Sequence, residues 1–164
     1  MTDKVYNVLF ICTHNSARSI LAEGLLNSMG RGNFMAHSAG SQPGGMVNPF
    51  ALKTLERLRI QPDGFRSKDW EEFARPGAPL MDFVFTVCDN AAGEVCPVWP
   101  GQPLTAHWGV ADPSAFEGTD EEKANVFRDT AAILKRRLDL MLALPLASLD
   151  RLAIQRQIKE IGTR

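Results

Sequence analysis

The chain predicts an α/β fold in which a mostly parallel, four-stranded sheet is flanked by helices. Apolar runs suited to buried strands alternate with segments of helical spacing, and no internal repeat interrupts the alternation. The first run passes through a short loop of small and polar residues straight into a helical pattern, the junction typical of a βαβ unit. With 164 residues and 45% hydrophobic content, the chain can bury one sizeable core but not comfortably two.

The elements follow in order. Val5 to Ile11 is the first strand, and Arg18 to Met29 the first helix. Asn33 to Ser38 is the second strand, broken by Ala39-Gly40. Asn48-Pro49 supplies a cap and a first-turn proline for a helix to about Leu58, with Ala51, Leu55 and Leu58 facing inward. Gln61-Pro62-Asp63-Gly64 is a turn, and Ser67 can cap a short helix through Phe73. Asp82 to Val87 reads as a buried strand, residues 88–103 as irregular, and Leu104 to Trp108 as the last strand. Thr119 and Glu122 form a capping box for a long helix with the stripe Phe127, Ala131, Leu134, Leu138 and Met141, stopped near Pro145. Leu149, Ile154, Ile158 and Ile161 then give a final helix an apolar face, with Gly162 as its stop, packed on its own domain. Residues 1–146 therefore read as the main domain and 147–164 as a helical extension of it.

In sheets of this kind active sites lie at the carboxyl ends of the strands, where Cys12, Cys88 and the segment after Trp108 fall. Cys12-Thr13-His14-Asn15-Ser16-Ala17-Arg18-Ser19 is the most informative stretch. Backbone N–H groups in such a turn converge on an anion, and the helix N-terminus adds partial positive charge. The same field favours a thiolate, so Cys12 is expected to be largely ionised at neutral pH. Arg18 can return over the loop with a planar fork that matches two oxygens of phosphate or arsenate, and Ser19 can donate to the thiolate.

A net charge of −1 gives no general attraction to nucleic acid or acidic membranes, and Lys135-Arg136-Arg137 reads as a polar helix face. No apolar run approaches the roughly 20 residues that span a bilayer, and the N-terminus lacks a signal-peptide core, so a cytoplasmic protein is expected. In that compartment three cysteines suggest catalysis, redox exchange or metal binding before structural disulfides. Cys88 and Cys96 have seven residues between them, outside the usual spacing of a zinc site, which leaves a redox pair or two ordinary thiols. Asp112, in Ala111-Asp112-Pro113-Ser114, is a turn residue or an acid aimed by the proline. His14 is a further donor at the loop or a solvated residue, and His37 and His107 read as structural.

The stretch VLFICTHNSARSILAEGLL resembles the phosphate loop of low-molecular-weight protein tyrosine phosphatases, and within that fold it is most similar to thiol-coupled arsenate reductases. Arg18-Ser19 is followed by Ile20, as in the reductases, rather than by the proline common in the phosphatases. The resemblance continues through His37-Ser38-Ala39-Gly40, Phe85-Thr86-Val87-Cys88-Asp89 and His107-Trp108-Gly109-Val110-Ala111-Asp112-Pro113. It implies a three-layer sandwich and arsenate reduction in the service of arsenic detoxification, with a protein tyrosine phosphatase as the alternative.

The resemblance also implies the roles. Thr13, His14, Asn15, Ser16, Ala17, Arg18 and Ser19 would bind the oxyanion, Cys12 would attack it, and Asp112 would be the acid. Cys88 and Cys96 would be the redox pair, with Asp89 to Val95 as a linker that lets Cys88 travel to Cys12. Asn15, Glu23, Ser38 and Asp69 match a monovalent-cation site of some members. No tightly bound cofactor is implied; thioredoxin, or glutaredoxin with glutathione, would supply electrons, and the protein is expected to be a monomer. Ser114 stands where phosphatases often place an aromatic residue that holds the phosphotyrosine ring, so that wall is missing.

Overall fold

The computed structural model describes residues 4–88 and 99–164. Four strands, β1 (Tyr6–Cys12), β2 (Phe34–Gly40), β3 (Phe83–Thr86) and β4 (Leu104–His107), form one parallel sheet in the order β2-β1-β3-β4. Val8, Leu9, Phe10 and Ile11 of β1 are fully buried, as a central parallel strand covered on both faces requires. Register aligns the carboxyl ends: Cys12 pairs with Gly40, Ile11 with Thr86, and Thr86 with His107. After β1 the chain first goes outward to β2 and later returns to β1's other side, so a crevice opens where the connections diverge.

Helix α1 (Arg18–Met29) packs on β1 and β2 and against α2 (Pro49–Arg57) and α3 (Asp120–Leu142), while α4 (Arg151–Ile161) packs on β4 and α3. A parallel sheet flanked by helices fits the three-layer architecture expected from the sequence. The caps of α2 and α3 act as the sequence reads them, and α4 gains one at Asp150 that the sequence reading did not name. Asn48 accepts from the Phe50 N–H at 2.8 Å, Thr119 and Glu122 close a capping box, and Asp150 accepts from the Ala153 N–H. All five stripe residues of α3 are buried, and Ile158 and Ile161 bury the inner face of α4. The aromatic centre of the core is Phe85, which stacks on Trp108 at 4.0 Å and lies 5.8 Å from Phe10.

Two local expectations are corrected. β2 continues through Ala39-Gly40, because the loop after β1 lies so close that a Cβ at Gly40 would sit 2.6 Å from the Thr13 carbonyl; the glycine admits the loop rather than breaking the strand. The short helix before β3 is a 3-10 turn, Trp70–Phe73, capped by Asp69. Ser67 is occupied elsewhere, donating to the His14 carbonyl at 2.9 Å. Among the described residues no helix is long and apolar enough to cross a membrane.

Candidate active site

The loop between β1 and α1 owes its shape to one residue. Asn15 takes a positive φ of 50°, a left-handed conformation that asparagine tolerates better than most residues. Its side chain is fully buried and holds the turn from three directions. Nδ2 donates to Ser19 Oγ at 2.8 Å and Ser38 Oγ at 2.9 Å, and Oδ1 accepts from the Lys68 N–H at 2.8 Å. Ser19 is thus tied into the loop through Asn15. Helix α1 begins at Arg18 behind Ala17 with no side-chain cap, so the donors of its first turn are not taken by a capping side chain. Uncapped donors of this kind suit a bound anion.

Arg18 bridges the loop and the segment after β4. Its Nη1 donates to the Val110 carbonyl at 3.0 Å, and Nη2 lies 3.6 Å from Asp112 Oδ2. Its Nε is buried and has no hydrogen-bond partner among the described residues, a donor that an oxyanion would satisfy. Asp112 caps the turn Pro113–Ala115, with Oδ1 accepting from the Ser114 N–H at 3.0 Å and the Ser114 hydroxyl at 2.6 Å. Oδ2 is therefore the carboxylate oxygen that faces Arg18. These groups share a cavity of about 550 Å³ whose lining includes Arg18, Cys88, His107, Asp112 and Gly162.

Cys12 and Cys88 are both buried, at the ends of the neighbouring strands β1 and β3, near enough for the Cys88 thiol to bear on the ionisation of Cys12. Cys88 Sγ also accepts from the Thr13 N–H at 3.2 Å and lies 3.4 Å from Thr13 Oγ1. Cys88 is therefore at the phosphate loop, beside the residue that follows Cys12. Cys96 and the linker Asp89 to Val95 lie outside the described residues.

This proximity changes the electrostatics expected for Cys12. Its thiol is pushed well above the ordinary range, first by the neighbouring Cys88 thiol and then by burial, while Arg18 and the His14 N–H pull the other way. The expectation of a largely ionised Cys12 is corrected by these surroundings. A loop of donors lowers a lone thiol, but a neighbouring thiol resists a second negative charge beside the first.

The four residues matched to a cation site do not assemble as one. Asn15, Glu23 and Ser38 converge, the Ser38 hydroxyl donating to Glu23 Oε1, but Asp69 caps the turn before β3. Where a cation would sit, the sequence already provides one. Lys68 Nζ donates to the Arg66 carbonyl at 2.9 Å and lies 3.4 Å from Ser38 Oγ and 3.8 Å from Glu23 Oε1. Burial pushes the Glu23 carboxyl up and the Lys68 ammonium down, each partly offset by the other's charge. These residues do not fit a monovalent ion, because an ammonium takes its place.

Among the histidines, His14 is exposed and donates from Nδ1 to the Gln42 carbonyl at 3.1 Å. His37 is structural, packed on Phe73 and bonded to Asn7, with burial lowering its pKa. His107 was read as structural but lines the cavity. The sequence reading gave no site role to Lys68, His107, the Val110 carbonyl or Gly162. The strand-end position of His107 was a usable signal; Lys68 and Gly162 offered none before folding.

The chain matches, over residues 7–156, the family described as low molecular weight phosphotyrosine protein phosphatase, and it belongs to that family. Within it, the chain is similar to proteins named as arsenate reductases. It is 37% identical to the arsenate reductase of Halalkalibacterium halodurans over 131 residues, 80% of this chain and 91% of that one. It is 29% identical to the glutaredoxin arsenate reductase of Synechocystis over 136 residues, 83% of this chain and 95% of that one. A solved structure described as an arsenate reductase in the phosphate binding state superposes with a TM-score of 0.64 at 28% identity, covering 84% of this chain and 97% of the other.

Proposed function

We propose that the protein is a cytoplasmic, thiol-coupled arsenate reductase serving arsenic detoxification. The observation that carries the reading is a second buried thiol at the oxyanion loop, Cys88, whose Sγ accepts from the N–H of Thr13, the residue next to Cys12. Hydrolysis of a phosphoester needs one thiol and water. Reduction of arsenic needs two electrons, and two adjacent thiols supply them.

Arsenate is bound by amides of residues 13–18 and by Arg18, whose unsatisfied Nε gains a partner. The Cys12 proton passes to an oxygen of the arsenate dianion, and the thiolate, now facing Arg18 and the His14 N–H, attacks arsenic. Asp112 protonates the departing hydroxyl, which leaves as water. Cys88 then attacks Cys12 sulfur; the S–As bond breaks, its electron pair stays on arsenic, and As(V) becomes As(III) as a Cys12–Cys88 disulfide forms. The sum is arsenate plus two thiols giving arsenite, water and one disulfide. Cys96 next attacks Cys88, freeing Cys12 and presenting a Cys88–Cys96 disulfide to an external dithiol such as thioredoxin, or to glutaredoxin with glutathione. No tightly bound cofactor takes part, and the active unit is a monomer. Residues 1–146 carry the chemistry, with 147–164 as an extension of the same domain.

The test is arsenite production by the purified protein with thioredoxin and its reductase, and separately with glutaredoxin and glutathione, beside aryl-phosphate hydrolysis by the same preparation. Turnover with either reductant, abolished by Cys12→Ser together with any residual phosphatase activity, is the expected result. Aryl-phosphate hydrolysis with no arsenite under either reductant would assign the chain to the phosphatases.

A further inference from the structure

The carboxyl-terminal helix reaches the chemistry. Ile158, Ile161 and Gly162 lie beyond the segment matched to the family, yet Gly162 lines the same cavity as Arg18, Cys88 and Asp112. The approach is close: a Cβ at Gly162 would lie 2.3 Å from the His107 carbonyl oxygen and 2.9 Å from Trp108 Cδ1. With φ of −61°, this glycine is required for space and not for an unusual backbone angle.

Trp108 is the point of attachment. It is fully buried, stacks on Phe85 at 4.0 Å, and donates its indole N–H to the Ile158 carbonyl at 2.9 Å. On the other side Arg137 of α3, 7% exposed, donates from Nη1 to the Trp108 carbonyl at 2.8 Å and the Gly109 carbonyl at 3.1 Å. Four residues after Trp108 comes Asp112. The intervening backbone has two more anchors, the Val110 N–H on the Val87 carbonyl at 3.1 Å and the Val110 carbonyl on Arg18. The segment that carries Asp112 is thus held between α3 and the last turn of α4.

We propose that α4 is a working part of the active site: its last turn walls the cavity that Arg18, Cys88 and Asp112 line and, through Trp108 and Gly162, positions the Asp112 segment for proton transfer. Trp108 and Gly162 are positioning residues that act through Asp112. The inference rests on Asp112 being the acid of the proposed reaction. A carboxyl group 3.6 Å from Arg18 lies at the edge of useful contact, and small shifts of its supporting backbone weaken proton transfer before they weaken anion binding.

The experiment measures single-turnover arsenite formation by the fully reduced, full-length protein, alongside inorganic phosphate affinity. Trp108→Phe keeps an aromatic ring over Phe85 and deletes the N–H that reaches Ile158. Gly162→Ala forces α4 away from His107. Gln155→Ala is the control: it removes a bond from the same helix to the Thr105 carbonyl without touching Trp108 or the cavity.

The expected result is a fall of about tenfold or more in the single-turnover rate for both test variants, with phosphate affinity changed less than about twofold and Gln155→Ala near wild type. In an Asp112→Asn background the same two substitutions should have little further effect, because the group they aim has lost its proton. Unchanged rates, full multiplication of the effects in that background, or an equal fall in Gln155→Ala at matched thermal stability would overturn the inference. Should a test variant fail to fold, deletion of residues 162–164, which spares the buried Ile158 and Ile161, replaces it with the same criteria. A wild-type protein that forms no arsenite would refute the reductase reading instead. The positioning claim would then be judged by the same variants in aryl-phosphate hydrolysis, which uses the same acid.

Discussion

At the scale of single residues, the site is governed by which side chains touch, and contacts set the charges. Cys12-x5-Arg18 at a strand-to-helix junction was legible in the sequence as an oxyanion loop, because the chemistry lies in neighbours along the chain. The protonation of Cys12 was not legible: it depends on Cys88, 76 residues away, whose thiol holds the Cys12 thiol up. Replacing Cys88 by alanine removes the largest cause of that rise and leaves burial opposed by Arg18 and the His14 amide. The Cys12 pKa should therefore fall in Cys88→Ala, and iodoacetamide alkylation of Cys12, followed against pH by mass spectrometry, should reach its midpoint at lower pH than in wild type. An unchanged midpoint would mean that burial alone sets the thiol.

Lys68 gives a second prediction at this scale. Its ammonium faces Glu23 and Ser38 beneath Asn15, and its charge lowers a Glu23 carboxyl that burial has raised. Lys68→Met should push Glu23 up further and cost about 3 kcal/mol at neutral pH, as when one partner of a buried pair is removed. An acid with a raised pKa binds more protons folded than unfolded, so stability falls as pH rises from the ordinary carboxylate value to the raised one. Urea denaturation should accordingly show a larger deficit for the variant near pH 8 than near about pH 5. A deficit independent of pH would remove Glu23 from the explanation. Potassium chloride should not stimulate the wild-type protein relative to choline chloride, since the cation is built in.

At the scale of elements, periodicity and caps located nearly everything, since those signals are local. The capping box at Thr119 and Glu122, the Asn48-Pro49 start and the α3 stripe all emerged from short windows of sequence. Two misreadings share an origin, contact with the phosphate loop; a third, Leu58, expected to face inward, follows the end of α2 and is exposed. Ala39-Gly40 read as a strand break because glycine ordinarily ends strands, whereas Gly40 admits the Thr13 carbonyl and Asn15 amide. Ser67 read as a cap but is used on His14. Gly40→Ala should therefore displace the loop, lowering phosphate affinity by about tenfold and stability by about 2 kcal/mol, the cost of overpacking a closed site. Calorimetric titration with phosphate and denaturant melts test both effects; a variant with wild-type affinity would show that the loop tolerates the shift.

At the scale of the whole molecule, the order β2-β1-β3-β4 brings the carboxyl ends of β1, β3 and β4 to one crevice, each delivering one working group: Cys12, Cys88 and, beyond Trp108, Asp112. Alternating strand and helix signals foretold a parallel sheet and the end at which a site would form. They did not foretell that the carboxyl-terminal helix would line that site, because Gly162 carries no signature until β4 lies against it.

The central claim is that Cys12 and Cys88 together reduce arsenic, and one measurement reaches it most directly. Fully reduced Cys96→Ser protein, mixed with arsenate in the absence of any external reductant, should release a single equivalent of arsenite per chain. Peptide mapping by mass spectrometry should then find Cys12 joined to Cys88. Cys88→Ser under the same conditions should release none while still hydrolysing an aryl phosphate. Arsenite release by Cys88→Ser at the wild-type single-turnover rate, or a Cys96→Ser product in which Cys12 and Cys88 remain reduced, would contradict the account.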